Sequence, residues 1–482
     1  MKKSEFLSNA YYERWNDDEQ ARIDADIERH RKADAEIALC APTGADVKVE
    51  QVSHAFRFGA HLFNFDQLGS HERNERHKAL WSGVFADGAL FNSATIAFYW
   101  RPFEPVEGKM RFDPEPEDSE EWWNACKDPK AQRFWRRPPS EPCVRFCEEK
   151  GVWKHGHPLV WSNTQWHYPD WLMAKLPKEV LAEMLTDDRS GVSILAQPMD
   201  EVLKRLPADF PDAVESSLRR RIDAIAGRYG DRMDSWDVCN ESAWDWADGK
   251  LVPGSRLCRS VRHSWMPGDY CHWAFREAMR AMPEKSVLSI NDYKLDEAYA
   301  EQTRDQLARG DKIDLQGMQM HLFNPKDVDR IAEGSELRSP AQVRAQIAAA
   351  HARPGLPVHL SEITVSSPGG DARGEAIQAE VARNLYRLWF SLPDMAAITW
   401  WNAVDDCGAP REPSVSGLFR RDMTPKAAYF ALDSLVNREW RTATTVAADG
   451  EGTVRFRGFR GKYRFSWTGA DGRARTAEAS VS

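Results

Sequence analysis

A chain of 482 residues with 42% hydrophobic content is too long for one average domain, and it suits a single large barrel enlarged by insertions. Its formal net charge of -9 argues against nucleic-acid binding, which needs a basic face, and against adhesion to anionic membranes. No apolar run has the length of a secretory signal or a membrane span, and the 8 Cys form no CxxC pair, so a soluble protein of the reducing cytoplasm with free thiols is expected.

In chain order, residues 11–36 are highly charged and read as helical, followed by a strand-like piece from Ile37 to Val52 with a turn at Thr43–Asp46. Eight candidate buried strands come next, near residues 56–63, 89–98, 154–161, 235–241, 287–293, 315–322, 357–364 and 396–403. Helical patterns such as SSLRRRIDAIAGRYG and EAIQAEVARNLYRLWFSL separate most of them. Strand and helix alternating eight times predicts an α/β fold, a closed (β/α)8 TIM barrel. Two connections, Arg111 to Val152 and Ser162 to about Asp212, are overlong; each follows a strand and so emerges at the barrel's C-terminal face. From Thr442 to Val481, apolar and polar residues alternate around Gly-containing turns, which reads as β-hairpins. The expected division is 1–54 for an N-terminal helix and strands, 55–437 for the barrel and 438–482 for a C-terminal hairpin unit. The two ends are expected to pair into one small β-rich unit, since a two-stranded piece is marginal alone.

Glu241 closes the fourth candidate strand and Glu362 the seventh, so a closed barrel aims both over one mouth. Two converging carboxylates suit glycoside cleavage: one protonates the departing oxygen, and the other attacks the anomeric carbon or activates water. Position alone leaves a helix cap or a loop salt bridge open as the role of either acid. The neighbours favour a sugar site. Asn240 can bond a hydroxyl, His157 and His321 close strands three and six, and Gln319 shares a strand face with His321. Trp161 and Trp401 offer stacking platforms, in a chain with 20 Trp. Asn92, Tyr99, Trp100 and Tyr293 are further candidates for substrate binding or support, with Asn291 near the cleft. Asp292 either serves the site or caps its strand.

The stretches FRFGAHLFNF, FNSATIAFYWRPFEPVEGKMRF, KHGHPLVW, WDVCNE, INDY, GMQMHL, HLSEIT, ITWWNAVD and GLFRRDMTPKAAYFAL occur in the order of glycoside hydrolase family 10, the endo-1,4-β-xylanase family, and the chain resembles it from Phe56 to Val436. The resemblance implies a retaining mechanism with Glu241 as acid/base and Glu362 as nucleophile. It implies that Asn240 contacts the 2-hydroxyl of the covalently held sugar and that His157 and Trp401 line the non-reducing side. Gln319 and His321 would orient Glu362. Departures accompany the match. Where the family has its Glu-Asn-x-x-Lys-Trp, this chain reads Thr95, Ile96, Ala97, Phe98, Tyr99, Trp100, so the polar grip on the next sugar outward is missing. Thr364 stands where the family Asp partners the His, Ser162 replaces a His, and the second stacking Trp beyond Asp405 has no counterpart. These changes predict an enzyme with altered non-reducing-side subsites, acting on short or decorated β-glycosides.

No cofactor and no metal is expected; the partner is a carbohydrate, and the oligomeric state is open. Two rivals from other classes remain. A metal-dependent hydrolase would use His155, His157 and His321, yet no acid joins them at ligand spacing. A non-catalytic sugar-binding barrel would tolerate replacement of Glu362, whereas a retaining enzyme would lose most of its rate. Cys239 reads as a small core residue facing away from Asn240.

Overall fold

The protein is described from a computed structural model covering residues 4–482 apart from 83, 84, 86, 87, 164, 165, 183, 187–192, 196–198, 261–264 and 411. The side chains of 184–186, 193–195, 199 and 200 also fall outside the description, and with them part of the second overlong connection.

Eight parallel strands close into a barrel: β1 (Arg57–His61), β2 (Ser93–Ala97), β3 (Trp153–His157), β4 (Ser235–Asn240), β5 (Val287–Asp292), β6 (Leu315–Leu322), β7 (Val358–Val365) and β8 (Met395–Trp400). Each pairs with the next, and β8 pairs with β1. β2, β4 and β7 are buried along their whole length, as parallel strands covered on both faces must be. Strands and helices alternate in the order expected.

The outer helices show why the chain wraps this way. Helix Phe210–Tyr229 buries Phe210, Val214, Leu218, Ile222, Ile225 and Tyr229, a stripe at steps of three and four that lies on the barrel. Each such large side chain contributes about 1.5–3 kcal/mol by leaving water. From the same helix the buried Arg221 guanidinium donates to the carbonyls of Phe98, Pro158 and Leu159. It thereby ties the exits of β2 and β3 together beneath the mouth. Gly156 admits the Trp236 indole at the β3–β4 contact, since a Cβ there would lie 2.2 Å from the ring. Helix Ala372–Ser391 is buried on nearly every side because the N-terminal helix Asp17–Arg31 covers its outer face. Asn384 donates to the Tyr11 hydroxyl at 2.8 Å, and Arg387 to Gln20 and Asp24.

The terminal segments meet as expected. Asp46–His54 is flanked by Ala443–Ala447 and Gly461–Thr468, and Ala474–Val481 completes a four-stranded antiparallel sheet. Val47, Val49, Val454, Tyr463 and Phe465 form its core. One boundary differs. The helix stops at Arg31, and Lys32–Ala38 is a strand paired with Thr453–Phe459. A partner more than four hundred residues away overrides the helical composition of this charged stretch.

Candidate active site

The C-terminal mouth of the barrel holds a cavity of about 450 Å³. Its wall includes Tyr99, His157, Trp161, Asn240, Glu241, Tyr293, Gln319, His321, Glu362 and Trp401, ten of the twelve site candidates named from the sequence. Phe323, Arg338 and Glu412 also line it.

Glu241 follows β4 with φ 58°, a left-handed conformation that costs a non-glycine residue about 1–3 kcal/mol. The turn is held by the Glu241 N–H, which donates to the Asn291 carbonyl at 2.8 Å. Its two carboxylate oxygens accept from separate donors, Trp161 Nε1 at 3.0 Å and Gln319 Nε2 at 3.1 Å. Burial, and then the nearby Glu362 charge, push its pKa up to about 7.

Glu362 lies within β7, and the pairing of β7 with both neighbours is irregular beside it, between Gly317 and Gln319 on β6 and between Leu360 and Ile363 toward β8. Such irregularities re-aim side chains near active sites. Glu362 Oε1 accepts from Asn291 Nδ2 at 2.9 Å, and Oε2 faces His321 Nε2 at 3.3 Å. His157 Nε2 is 3.8 Å from Oε1. Burial pushes Glu362 up to about 7, against the lowering influence of His157.

One amide network joins the two acids. Asn291 Nδ2 donates to Asn240 Oδ1 at 2.8 Å as well as to Glu362, and Gln319 Nε2 donates to Asn240 Oδ1 at 3.3 Å as well as to Glu241. With its oxygen engaged twice, Asn240 presents its NH2 group to the cavity. Ser361 Oγ donates to Asn291 Oδ1 at 2.5 Å and fixes that amide. Gly317 leaves room for it: a Cβ there would lie 2.5 Å from Asn291 Oδ1.

His321 is a neutral support. Burial lowers His321 to about 4, so its ring carries one N–H. Thr364 Oγ1 lies 2.9 Å from Nδ1; a hydroxyl can donate to that nitrogen and leave Nε2–H for Glu362. His157 Nδ1 is 2.8 Å from Asp237 Oδ2, and His155 Nε2 is 2.9 Å from the same oxygen. Burial works against the Asp237 charge, but the two histidines hold its pKa well below the carboxylate range.

Two candidates lie elsewhere. Asn92 precedes β2 at the opposite end of the barrel, where it accepts from the Phe58 N–H at 2.9 Å and donates to the Phe56 carbonyl. Trp100 begins the short helix Trp100–Phe103, which turns its indole into the core; Nε1 donates to Glu104 at 2.6 Å. Gln319 has a different partner from the one implied, for it holds Glu241 and not Glu362. Asp292 caps: it accepts from the Ala243 and Lys294 N–H groups. Cys239 is buried in the core and lies outside the cavity wall.

Glu412 had no signal beyond its charge. It reaches the mouth from the loop after β8 and accepts from Trp401 Nε1 at 3.0 Å, Asn402 Nδ2 at 2.8 Å and the Ala409 N–H. Burial would raise its pKa, but Arg136 and these donors outweigh burial and hold it at about 2. The overlong connection after β2 thus enters the site through Arg136, whose guanidinium also donates to Asn402 at 2.7 Å.

The class that this fold and mouth define is the (β/α)8 glycoside hydrolases. The chain belongs to glycosyl hydrolase family 10, whose model matches residues 118–435. It is similar to endo-1,4-beta-xylanase A of Thermotoga maritima, 26% identical over 304 residues, which is 60% of this chain and 24% of that protein. It is also similar to endo-1,4-beta-xylanase B of Thermotoga neapolitana, 23% identical over 314 residues, covering 62% of this chain and 74% of the relative. The chain therefore spans about a quarter of the first relative's length. The solved family 10 structure from Paenibacillus barcinonensis shares the fold, with a TM-score of 0.50 and 20% identity over 80% of this chain and 96% of that one. Among the described residues no helix is long and apolar enough to cross a membrane.

Proposed function

We propose that the chain is a retaining β-glycoside hydrolase that cleaves β-1,4-linked xylo-configured or related short β-glycosides by double displacement. Glu241 is the general acid/base and Glu362 the nucleophile. The observation that carries this reading is the pair of carboxyl groups lining one cavity, coupled through Asn240, Asn291 and Gln319 and both raised to about 7.

Charge repulsion in that cavity favours a single proton shared by the pair. Glu241 is its better holder, because Glu362 also faces His321 and His157. Protonated Glu241 delivers its proton to the departing oxygen while the Glu362 carboxylate attacks the anomeric carbon; Glu241 then takes a proton from the water that releases the sugar. Asn240 supplies a donor for the 2-hydroxyl, and Trp401 a flat face for the ring. The similarity to endo-1,4-beta-xylanases supports a xylo-configured substrate. Thr95, Ile96 and Tyr99 replace the family's polar grip, which favours altered subsites on the non-reducing side and shorter substrates than polymeric xylan.

Rates on a short xylo-oligosaccharide and on polymeric xylan test this. Glu362→Ala is expected to lose nearly all activity, and Glu241→Ala to fall by about 10²–10⁴ on the unactivated oligosaccharide. A wild type without hydrolytic activity, or indifference to Glu362→Ala, would favour the non-catalytic sugar-binding barrel. Rapid random cleavage of polymeric xylan would refute the short-substrate reading.

A further inference from the structure

A second cavity, about 380 Å³, lies between the loops that follow β2, β3 and β8. Arg101, Lys130, Arg133, Arg136 and Arg137 line it, and Asp170 is the one acid among its described lining residues. Neighbouring acids do not cancel this charge. Arg101 and Arg133 share Asp170 at 2.9 and 3.3 Å, Lys130 pairs with Asp406 at 2.5 Å, and Arg136 pairs with Glu412 at 3.4 Å. Arg137 forms no ion pair with the described acids; it donates to the Arg136 carbonyl at 2.9 Å and lies 4.0 Å over the Tyr99 ring. Five cations thus face three carboxylates.

Two further donors lie within the wall behind these charges. Trp135 Nε1 and Arg136 Nε are buried and find no acceptor among the described atoms. Protein atoms cover both, so a ligand in the cavity meets the wall through the exposed Arg101, Lys130 and Arg133 side chains. The second cavity adjoins the catalytic one through its wall. Trp166 lines it and packs against the cluster of Tyr99, Trp161 and Trp401, while Arg136 bonds the Glu412 that lines the first cavity.

The geometry points to a subsite for a sugar acid: the second cavity binds the carboxylate of a uronic-acid unit or branch on the non-reducing side of the bond to be cleaved. This inference rests on the glycoside reading above. Guanidinium groups meet a carboxylate in planar, paired hydrogen bonds, and the half-buried Trp166 indole suits the apolar face of a sugar ring. Inorganic anions share the charge but would gain nothing from the indole.

The test is calorimetric titration of the Glu362→Gln protein with three probes: a xylo-oligosaccharide bearing a glucuronosyl branch, its unbranched counterpart, and inorganic phosphate. It is paired with kcat/KM of the active enzyme on the two sugars. The branched sugar is expected to bind about tenfold tighter or more and to have a correspondingly lower KM. Arg133→Gln, an exposed and structurally mild change, and Arg133→Gln with Arg137→Gln are expected to bring the branched-to-unbranched ratio toward one. Equal affinity for the two sugars, or phosphate binding as tight as the branched sugar, would overturn the subsite. Cleavage of both sugars without preference would sink the subsite and leave the hydrolase reading intact. Tight binding of the branched sugar with cleavage of neither would do the reverse.

Discussion

Replacing Trp161 by Phe removes one donor from Glu241 and keeps an aromatic face in the wall. Trp161 Nε1 donates to Glu241 Oε2 at 3.0 Å, and this bond stabilises the charged carboxylate. A hydrogen bond to a charged group contributes about 1.5–3 kcal/mol, and 1.36 kcal/mol is one pKa unit. The mouth is open to solvent, which takes part of that loss, so about one unit is expected. The sign follows from which form loses its partner: the anion is destabilised, so Glu241 keeps its proton to higher pH. In the profile of kcat/KM on an unactivated oligosaccharide, the alkaline limb reports the acid of the free enzyme. It is expected to move from about 7 in the parent toward about 8 in Trp161→Phe. Gln319→Met is expected to move it the same way, because Gln319 Nε2 donates to the other oxygen. An alkaline limb that stays fixed or moves toward acid in both variants would refute Glu241 as the proton donor.

Thr364→Val removes the hydroxyl that faces His321 Nδ1, freeing the ring to adopt the tautomer that cannot donate to Glu362; kcat is expected to fall about tenfold with a smaller change in KM, and an unchanged kcat would refute that role. Glu362→Gln should change stability in a pH-dependent way. A carboxyl raised to about 7 in the folded state against about 4.3 unfolded binds more protons when folded, so the wild type loses stability as pH rises between these values. The variant is therefore expected to exceed the wild type at pH 8 by up to about 3 kcal/mol and to match it near pH 4; chemical unfolding at both values checks this, and a pH-independent difference would contradict it. Gly317→Ala places a methyl against Asn291 Oδ1 and should loosen both acids through the amide network, lowering kcat more than it lowers Tm; kinetics alongside thermal unfolding decide it.

The barrel was legible because parallel strands covered on both faces are nearly continuous apolar runs, and polar residues of inward parity at their C-terminal ends point into the mouth. That rule alone brought Asn240, Glu241, Gln319, His321 and Glu362 together. It did not assign partners. Gln319 faces inward as its parity requires, yet it bonds Glu241 across the mouth, a choice made by strand curvature and the irregularity after Gly317. Asn92 was misplaced by a boundary: β2 begins at Ser93, which leaves Asn92 at the barrel floor. Trp100 was misplaced by a helix of four residues, too short to show a period. Loop residues left no trace. Glu412, Arg136 and Arg137 reach the site through connections whose paths depend on contacts far along the chain, such as Arg136 with Asn402. Lys32–Ala38 reads as helix because its charged composition is helical and its strand partner lies at the other end of the sequence.

The mechanism is tested most directly by the anomer first released during hydrolysis, followed by proton NMR before mutarotation mixes the products. Double displacement through Glu362 predicts that the β-anomer appears first. Initial release of the α-anomer would mean that water attacks the sugar directly and that Glu362 acts as a base, contradicting its role as nucleophile.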